Sequence, residues 1–328
     1  MKRNTVQSQL TEFEIRAIVQ TVKSLVEKND FPSNKRLIEV CRAYNINLID
    51  NENEPHHIHE ILETAVNLHL SETFSIESFN QEKKYQTLDK LEQLTAKLPA
   101  QCWRSREQIE LQQFSTPPAL AFVMAQLLAP EAGKTALEPS AGTGSLAVWL
   151  KIAGCHTVVN ETSERRSQFL KLQSFEPHQV NAEFLNNLLA QQIKPDYILM
   201  NPPFSTSAGR TKGHNSSFGF RHVEAALEIL ADGGRLIALL GANASLKTDK
   251  GKIFWNRVAQ KHQIHAFLNV PPKVYYKYGT TFQTAVVIIS KPEIRAQKQQ
   301  DEHEPKILEF GSLSDILRFA DAFQATHF

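Results

Sequence analysis

Ile198-Leu199-Met200-Asn201-Pro202-Pro203-Phe204 changes abruptly from an apolar run to an amide, two rigid prolines and an aromatic ring. Tyr197 to Met200 reads as a short buried strand, and it must stop at Pro202 and Pro203, which have no N–H to give a sheet ladder. Asn201 is thereby held at a strand's carboxyl end, the edge of an open α/β sheet where ligands settle. An amide oxygen fixed beside a proline carbonyl is suited to accept two hydrogen bonds from one planar amino group. Phe204 offers a π-face to a flat ring, and a tight turn with a buried Phe is the plainer alternative.

Upstream, Ala136-Leu137-Glu138-Pro139-Ser140-Ala141-Gly142-Thr143-Gly144-Ser145 reads as a strand entering a Gly-rich turn, with a helix from Leu146 onward. Glycines let the backbone approach a ligand closely, and the helix start offers open N–H groups. The stretch lacks the Gly-Lys-Ser/Thr ending of a phosphate loop and the full Gly-x-Gly-x-x-Gly of a dinucleotide site. Glu138 would repel a phosphate and attract an ammonium. A second strand, Val158-Val159-Asn160-Glu161, ends in an acid 23 residues after Glu138, near where a doubly wound fold sets an acid against ribose hydroxyls. Further strands are expected around Gln179-Val180 and at Arg235–Leu240, Ala266–Asn269 and Ala285–Ser290.

Asn201-Pro202-Pro203-Phe204 resembles the catalytic tetrapeptide of amino-group methyltransferases that use S-adenosylmethionine, above all the adenine-N6 DNA enzymes, and Glu138 to Ser145 resembles their cofactor loop. Gln113-Phe114-Ser115-Thr116-Pro117-Pro118 is similar to the family's Phe-Ser/Thr-Thr-Pro element, with capping of the next helix by Ser115 or Thr116 as the alternative. Tyr275-Tyr276-Lys277-Tyr278-Gly279-Thr280-Thr281 resembles the later motif whose aromatic ring holds the target base, with core packing as the alternative. The motif order, from Gln113 to Ser290, is similar to that of the gamma group. Within it, the Asn201 to Ser205 stretch and the Gly209-Arg210 loop most resemble strawberry-notch-type plasmid and phage modules and the modification subunits of type I restriction systems.

The resemblance implies an α/β class I methyltransferase fold: a Rossmann-like, seven-stranded doubly wound sheet with one antiparallel edge hairpin. It places Asn201, Pro202, Pro203 and Phe204 at the reaction. Phe114, Thr116, Glu138, Ser140, Ala141, Gly142, Gly144, Glu161 and Asn181 fall at the cofactor, with Asn201 beside them. Asn181 stands where the family usually has Asp, with Glu183 two residues on. Phe204, Tyr276, Tyr278, Arg210 and Lys212 fall at the substrate. The implied reaction is methyl transfer to the exocyclic N6 of adenine in DNA. An RNA base amino-methyltransferase (rRNA guanine-N2 or adenine-N6) and a non-catalytic, cofactor-binding subunit of a modification complex are the alternatives.

The rest of the chain frames these motifs. Residues 1–100 read as an N-terminal helical bundle with 15 acidic against 12 basic residues and no catalytic signature, a scaffold by default, and residues 101–328 read as the catalytic domain. Its helices are expected from about residue 11, after Ser33, from Pro55, and from about Ile76 to Leu98. Residues 201–300 carry 14 Lys or Arg against 5 Asp or Glu, the bias a polyanionic substrate requires, and Ser205 to Phe220 reads as a loop beside the site. The chain after Ser290 is short for a target-recognition domain, so sequence choice is expected from the bundle, that loop, or a specificity or helicase partner protein. Cys41, Cys102 and Cys155 form no Cys-x-x-Cys pair, and His56-His57-x-His59 reads as a polar helix start, so no metal is expected. Met1 to Gln7 leads into no apolar segment and no run of about 18 apolar residues occurs, so a cytoplasmic protein without a membrane span is expected.

Overall fold

The computed structural model describes residues 12–44, 57–101, 115–189, 191–203, 218–241, 244, 246–278, 283–293 and 305–327. Its strands are β1 (Thr135–Glu138), β2 (His156–Val159), β3 (Tyr197–Met200), β4 (Arg235–Gly241), β5 (Gln263–Val270), β6 (Thr284–Ser290) and β7 (Lys306–Glu309). They form one sheet in the order β2-β1-β3-β4-β6-β5-β7. The first four run parallel, β6 is antiparallel to both its neighbours, and β7 is parallel to β5. Both faces are covered, which is why the inner strands read as unbroken apolar runs. In β4, Ile237 and Leu239 enter one core and Leu236, Ala238 and Leu240 the other.

The helices are α1 (Glu12–Glu27), α2 (Asn34–Ala43), α3 (His57–Thr73), α4 (Lys84–Lys97), α5 (Pro118–Leu128), α6 (Ala147–Ile152), α7 (Glu164–Leu172), α8 (Leu185–Leu188), α9 (Phe218–Ile229), α10 (Asp249–Ala259) and α11 (Leu313–His327). Side-chain caps fix several starts: Ser33 accepts from Arg36 N, Ser163 from Arg166 N and Thr248 from Gly251 N. Helix α5 is buried at every position, because α4 and α11 pack against it on one side and the sheet on the other. Trp149 of α6 packs on Phe122 of α5 at 4.8 Å between ring centroids and on Phe74 at 5.6 Å. One apolar core therefore runs without a break from α1 to α11. Among the described residues, no helix is long and apolar enough to cross a membrane.

The expected seven-stranded doubly wound sheet is present, with four local differences. Around Gln179-Val180 there is only an isolated bridge between Asn160 and His178. Pro177 and the turn at Asn181 leave too few residues for a ladder, and the Asn160 side chain substitutes by bonding Val180 through both its carbonyl and its amino group. The seventh strand is instead β7. The antiparallel strand β6 is consequently internal rather than part of an edge hairpin, since β5 and then β7 lie outside it. The expected helix from Ile76 to Leu98 is two elements, a 3-10 turn at Ile76–Phe79 and then α4, separated where Asn80 O accepts from both Lys83 N and Lys84 N.

Candidate functional site

The carboxyl ends of β1, β2 and β3 open onto a cleft of about 640 Å³, counting its space open to solvent. β1 delivers Glu138, buried, whose carboxylate accepts from Ala147 N at 2.6 Å, the first residue of α6. Between them the chain turns at Gly142 (φ +55°) and Gly144 (φ +91°). A Cβ on Gly142 would meet nothing within 4 Å, so this glycine borders open cleft, whereas one on Gly144 would lie 3.1 Å from Gln173 and Leu170. The first serves approach of a ligand, the second close packing on α7.

β2 leads to Glu161, which accepts from Gly142 N and Ser163 N, each at 2.8 Å, and faces Arg166 at 3.7 Å. Ala141 N donates to Asn160 O at 2.9 Å, so the turns after β1 and β2 are bonded to each other. At the end of β3, Asn201 Nδ2 donates to Thr116 Oγ1 at 3.0 Å. Pro202 and Pro203 are buried and line the same cleft. Neither expected cap serves α5, which has no side-chain cap bond: Thr116 is engaged with Asn201, and the Ser115 side chain with Glu63.

The cleft is acidic. Glu60, Glu63, Glu138 and Glu161 line it, with Arg166 as the one base among its described residues. Burial pushes the Glu138 carboxyl well above the usual range, the Ala147 N–H opposes this, and Glu161 adds to the rise. Glu63 is raised by burial, against hydrogen bonds from Ser115, Thr143 and Gln101, with Glu60 adding to the rise. Burial also opposes ionisation of Glu60, but bonds from Arg165 at 2.7 and 2.9 Å hold it below the usual range.

The structure thus gathers Thr116, Glu138, Ser140, Ala141, Gly142, Glu161, Asn201, Pro202 and Pro203 around one cleft, with Gly144 packed just behind it. It does not bring Asn181 there: that residue is exposed, and its oxygen accepts from Glu183 N at 3.0 Å to cap a 3-10 turn. Tyr276 is 73% exposed. Tyr278 is buried and lines a smaller adjoining cavity of about 370 Å³ that shares Glu63 and Ser145 with the main cleft. Phe114, Phe204, Arg210 and Lys212 lie outside the described residues. Sequence reasoning missed Glu60 and Glu63, both on α3. The available signal was Glu60, Glu63 and Asn67 recurring at i, i+3 and i+7 among apolar residues, a polar stripe on a helix that is buried continuously from Ile58 to Asn67.

A family model described as "Methyltransferase small domain" matches residues 119–265, the span holding the Gly-rich turn, Glu161 and Asn201. Among curated proteins, no sequence matches. Three crystal structures share the fold, each at a TM-score of 0.52. One, from Listeria monocytogenes, provisionally assigned as a class I S-adenosylmethionine-dependent methyltransferase, is 14% identical over 95% of this chain and 97% of its own. Another, from Streptococcus thermophilus, described as a type I restriction-modification system methyltransferase subunit, is 12% identical over 97% and 94%. A third, from Vibrio vulnificus YJ016, provisionally described as a type I restriction enzyme modification subunit, is 13% identical over 89% of this chain and 62% of its own. The fold is the Rossmann-like fold of class I S-adenosylmethionine-dependent methyltransferases. The cleft suits that cofactor: the Glu138 carboxylate favours a cationic group, Gly142 leaves room for close approach, and Glu161 stands at the end of β2.

Proposed function

We propose that this protein transfers a methyl group from S-adenosylmethionine to the exocyclic N6 amino group of adenine in DNA. One observation carries the reading: the acidic cleft formed by Glu138, Gly142 and Glu161 continues to Asn201, Pro202 and Pro203 in a single opening. Glu138, Gly142 and Glu161 would hold the cofactor, which when bound supplies a methyl group already activated for displacement.

The chain's own task is orientation and electrostatics. Adenine N6 is a poor nucleophile because its lone pair is delocalised into the ring. The Asn201 amide oxygen and the Pro202 carbonyl accept its two hydrogens and favour a pyramidal nitrogen. Thr116 fixes the amide for this task by accepting from its Nδ2. Phe204 stacks on the base, offsetting part of the few kcal/mol needed to turn a base out of a duplex. A partner protein contributes sequence choice, a reading supported by the resemblance of the Asn201 to Ser205 stretch to type I modification subunits.

The test is incorporation of labelled methyl from S-adenosylmethionine into DNA and into rRNA, followed by nucleoside analysis. N6-methyladenine in DNA supports the reading. Label confined to rRNA supports the RNA alternative, and no label in either, with the cofactor bound, supports a non-catalytic subunit.

A further inference from the structure

Glu63 of α3 gathers parts of the chain that are far apart in sequence. Its carboxylate accepts from Thr143 Oγ1 at 2.8 Å in the Gly-rich turn, from Gln101 Nε2 at 2.6 Å, and from the Ser115 side chain next to Thr116. Four residues on, Asn67 Nδ2 donates to Thr143 O at 2.8 Å, so α3 holds this residue by both side chain and backbone. Three residues back, Glu60 takes two bonds from Arg165, in the first turn of α7 just beyond Glu161. Gln101 N in turn donates to Lys277 O at 2.7 Å, beside Tyr278. Burying carboxylates is costly unless they are bonded. Here the donors come from segments around the cleft, and none of those named belongs to α1, α2 or α4.

We propose that α3 is a positioning element of the cofactor site, with Glu63 setting the Gly-rich turn through Thr143. The N-terminal helices and the sheet then act as one binding unit, and cofactor affinity depends on a side chain 80 residues before the turn. The ligand-binding part of this inference rests on the cofactor reading above; the geometry of the turn does not.

The experiment therefore has two readouts on the full chain, using Glu63→Ala, Glu63→Gln and Asn67→Ala. In ligand-free protein, Glu63→Ala should speed hydrogen exchange over Ala141–Leu150 by roughly tenfold or more, and Glu63→Gln, which keeps an acceptor oxygen for Thr143, should stay within about threefold of wild type. By calorimetry, Glu63→Ala should weaken S-adenosylmethionine and the uncharged-sulfur product S-adenosylhomocysteine alike, by about tenfold, again with rescue by Gln. Asn67→Ala should act in the same direction and serves if Glu63→Ala does not fold. Unchanged exchange in folded Glu63→Ala or Asn67→Ala overturns the proposal. So does a loss confined to the cationic donor and not rescued by Gln, which would mean direct ionic contact. If exchange responds as expected but wild type binds no S-adenosylmethionine, positioning stands and the cofactor reading fails.

Discussion

Asn201 Nδ2 donates to Thr116 Oγ1 at 3.0 Å across 85 residues, joining the segment before α5 to the end of β3. The bond orients the amide proposed to receive the target amino group. Thr116→Val keeps the shape and removes the acceptor. Single-turnover methyl transfer should slow by about 10-fold to 100-fold, with cofactor affinity within a few-fold and Thr116→Ser close to wild type.

The two glycines of the turn should separate stability from binding. At either position a side chain meets a positive φ, at a cost of roughly 1–2 kcal/mol. Gly144→Ala adds a 3.1 Å contact with Gln173 and Leu170, so it should lower the melting temperature more. Gly142→Ala places its Cβ in open cleft and should lose more cofactor affinity than stability. Thermal unfolding and calorimetry on both variants check this ordering.

Glu138 makes cofactor binding pH-dependent. Burial raises its folded-state pKa well above 4.5. As pH rises past the unfolded value, the unfolded chain releases its proton first, so the ligand-free protein loses stability until Glu138 itself ionises. A bound cation favours the ionised carboxylate, so binding expels a proton in that window and should tighten as pH rises above the usual carboxylate range. Glu138→Gln should flatten the affinity profile and stabilise the ligand-free protein at neutral pH. Titrations in two buffers of different ionisation enthalpy would read the proton release directly.

The aromatic contacts of Trp149 with Phe122 and Phe74 join the N-terminal helices to the sheet. Phe122 is fully buried, and Phe122→Ala should cost about 3–5 kcal/mol in denaturant unfolding. A fragment of residues 101–328 would uncover α5 and Trp149, and should show reduced cooperativity or aggregate.

Much of this was legible because it is written in local pattern. The apolar run ending at Pro202, and an acid followed by a Gly-rich turn at Glu138, each constrain the backbone within ten residues. The strand β7 was not legible, because Lys-Ile-Leu-Glu at 306–309 is short and only half-buried, and a place at the sheet edge demands little of its composition. Gln179-Val180 is too short a stretch to make a ladder, and Pro177 and the turn at Asn181 bound it on both sides. Glu60 and Glu63 escaped because an acid on a helix is ordinarily solvated, and their partners, Arg165 and Thr143, follow 105 and 80 residues later. The Thr116 bond was not legible either: a local rule offers this residue only as a helix cap, whereas its partner Asn201 is supplied by the folded sheet.

In the proposed reaction Asn201 faces the methyl acceptor and not the donor. The most direct test measures S-adenosylmethionine affinity and methyl transfer to DNA on one preparation of Asn201→Ala. Affinity should stay within a few-fold of wild type while transfer falls by at least about a hundredfold, the scale of losing a transition-state contact. Transfer persisting within a few-fold, or affinity collapsing together with it, would contradict that role.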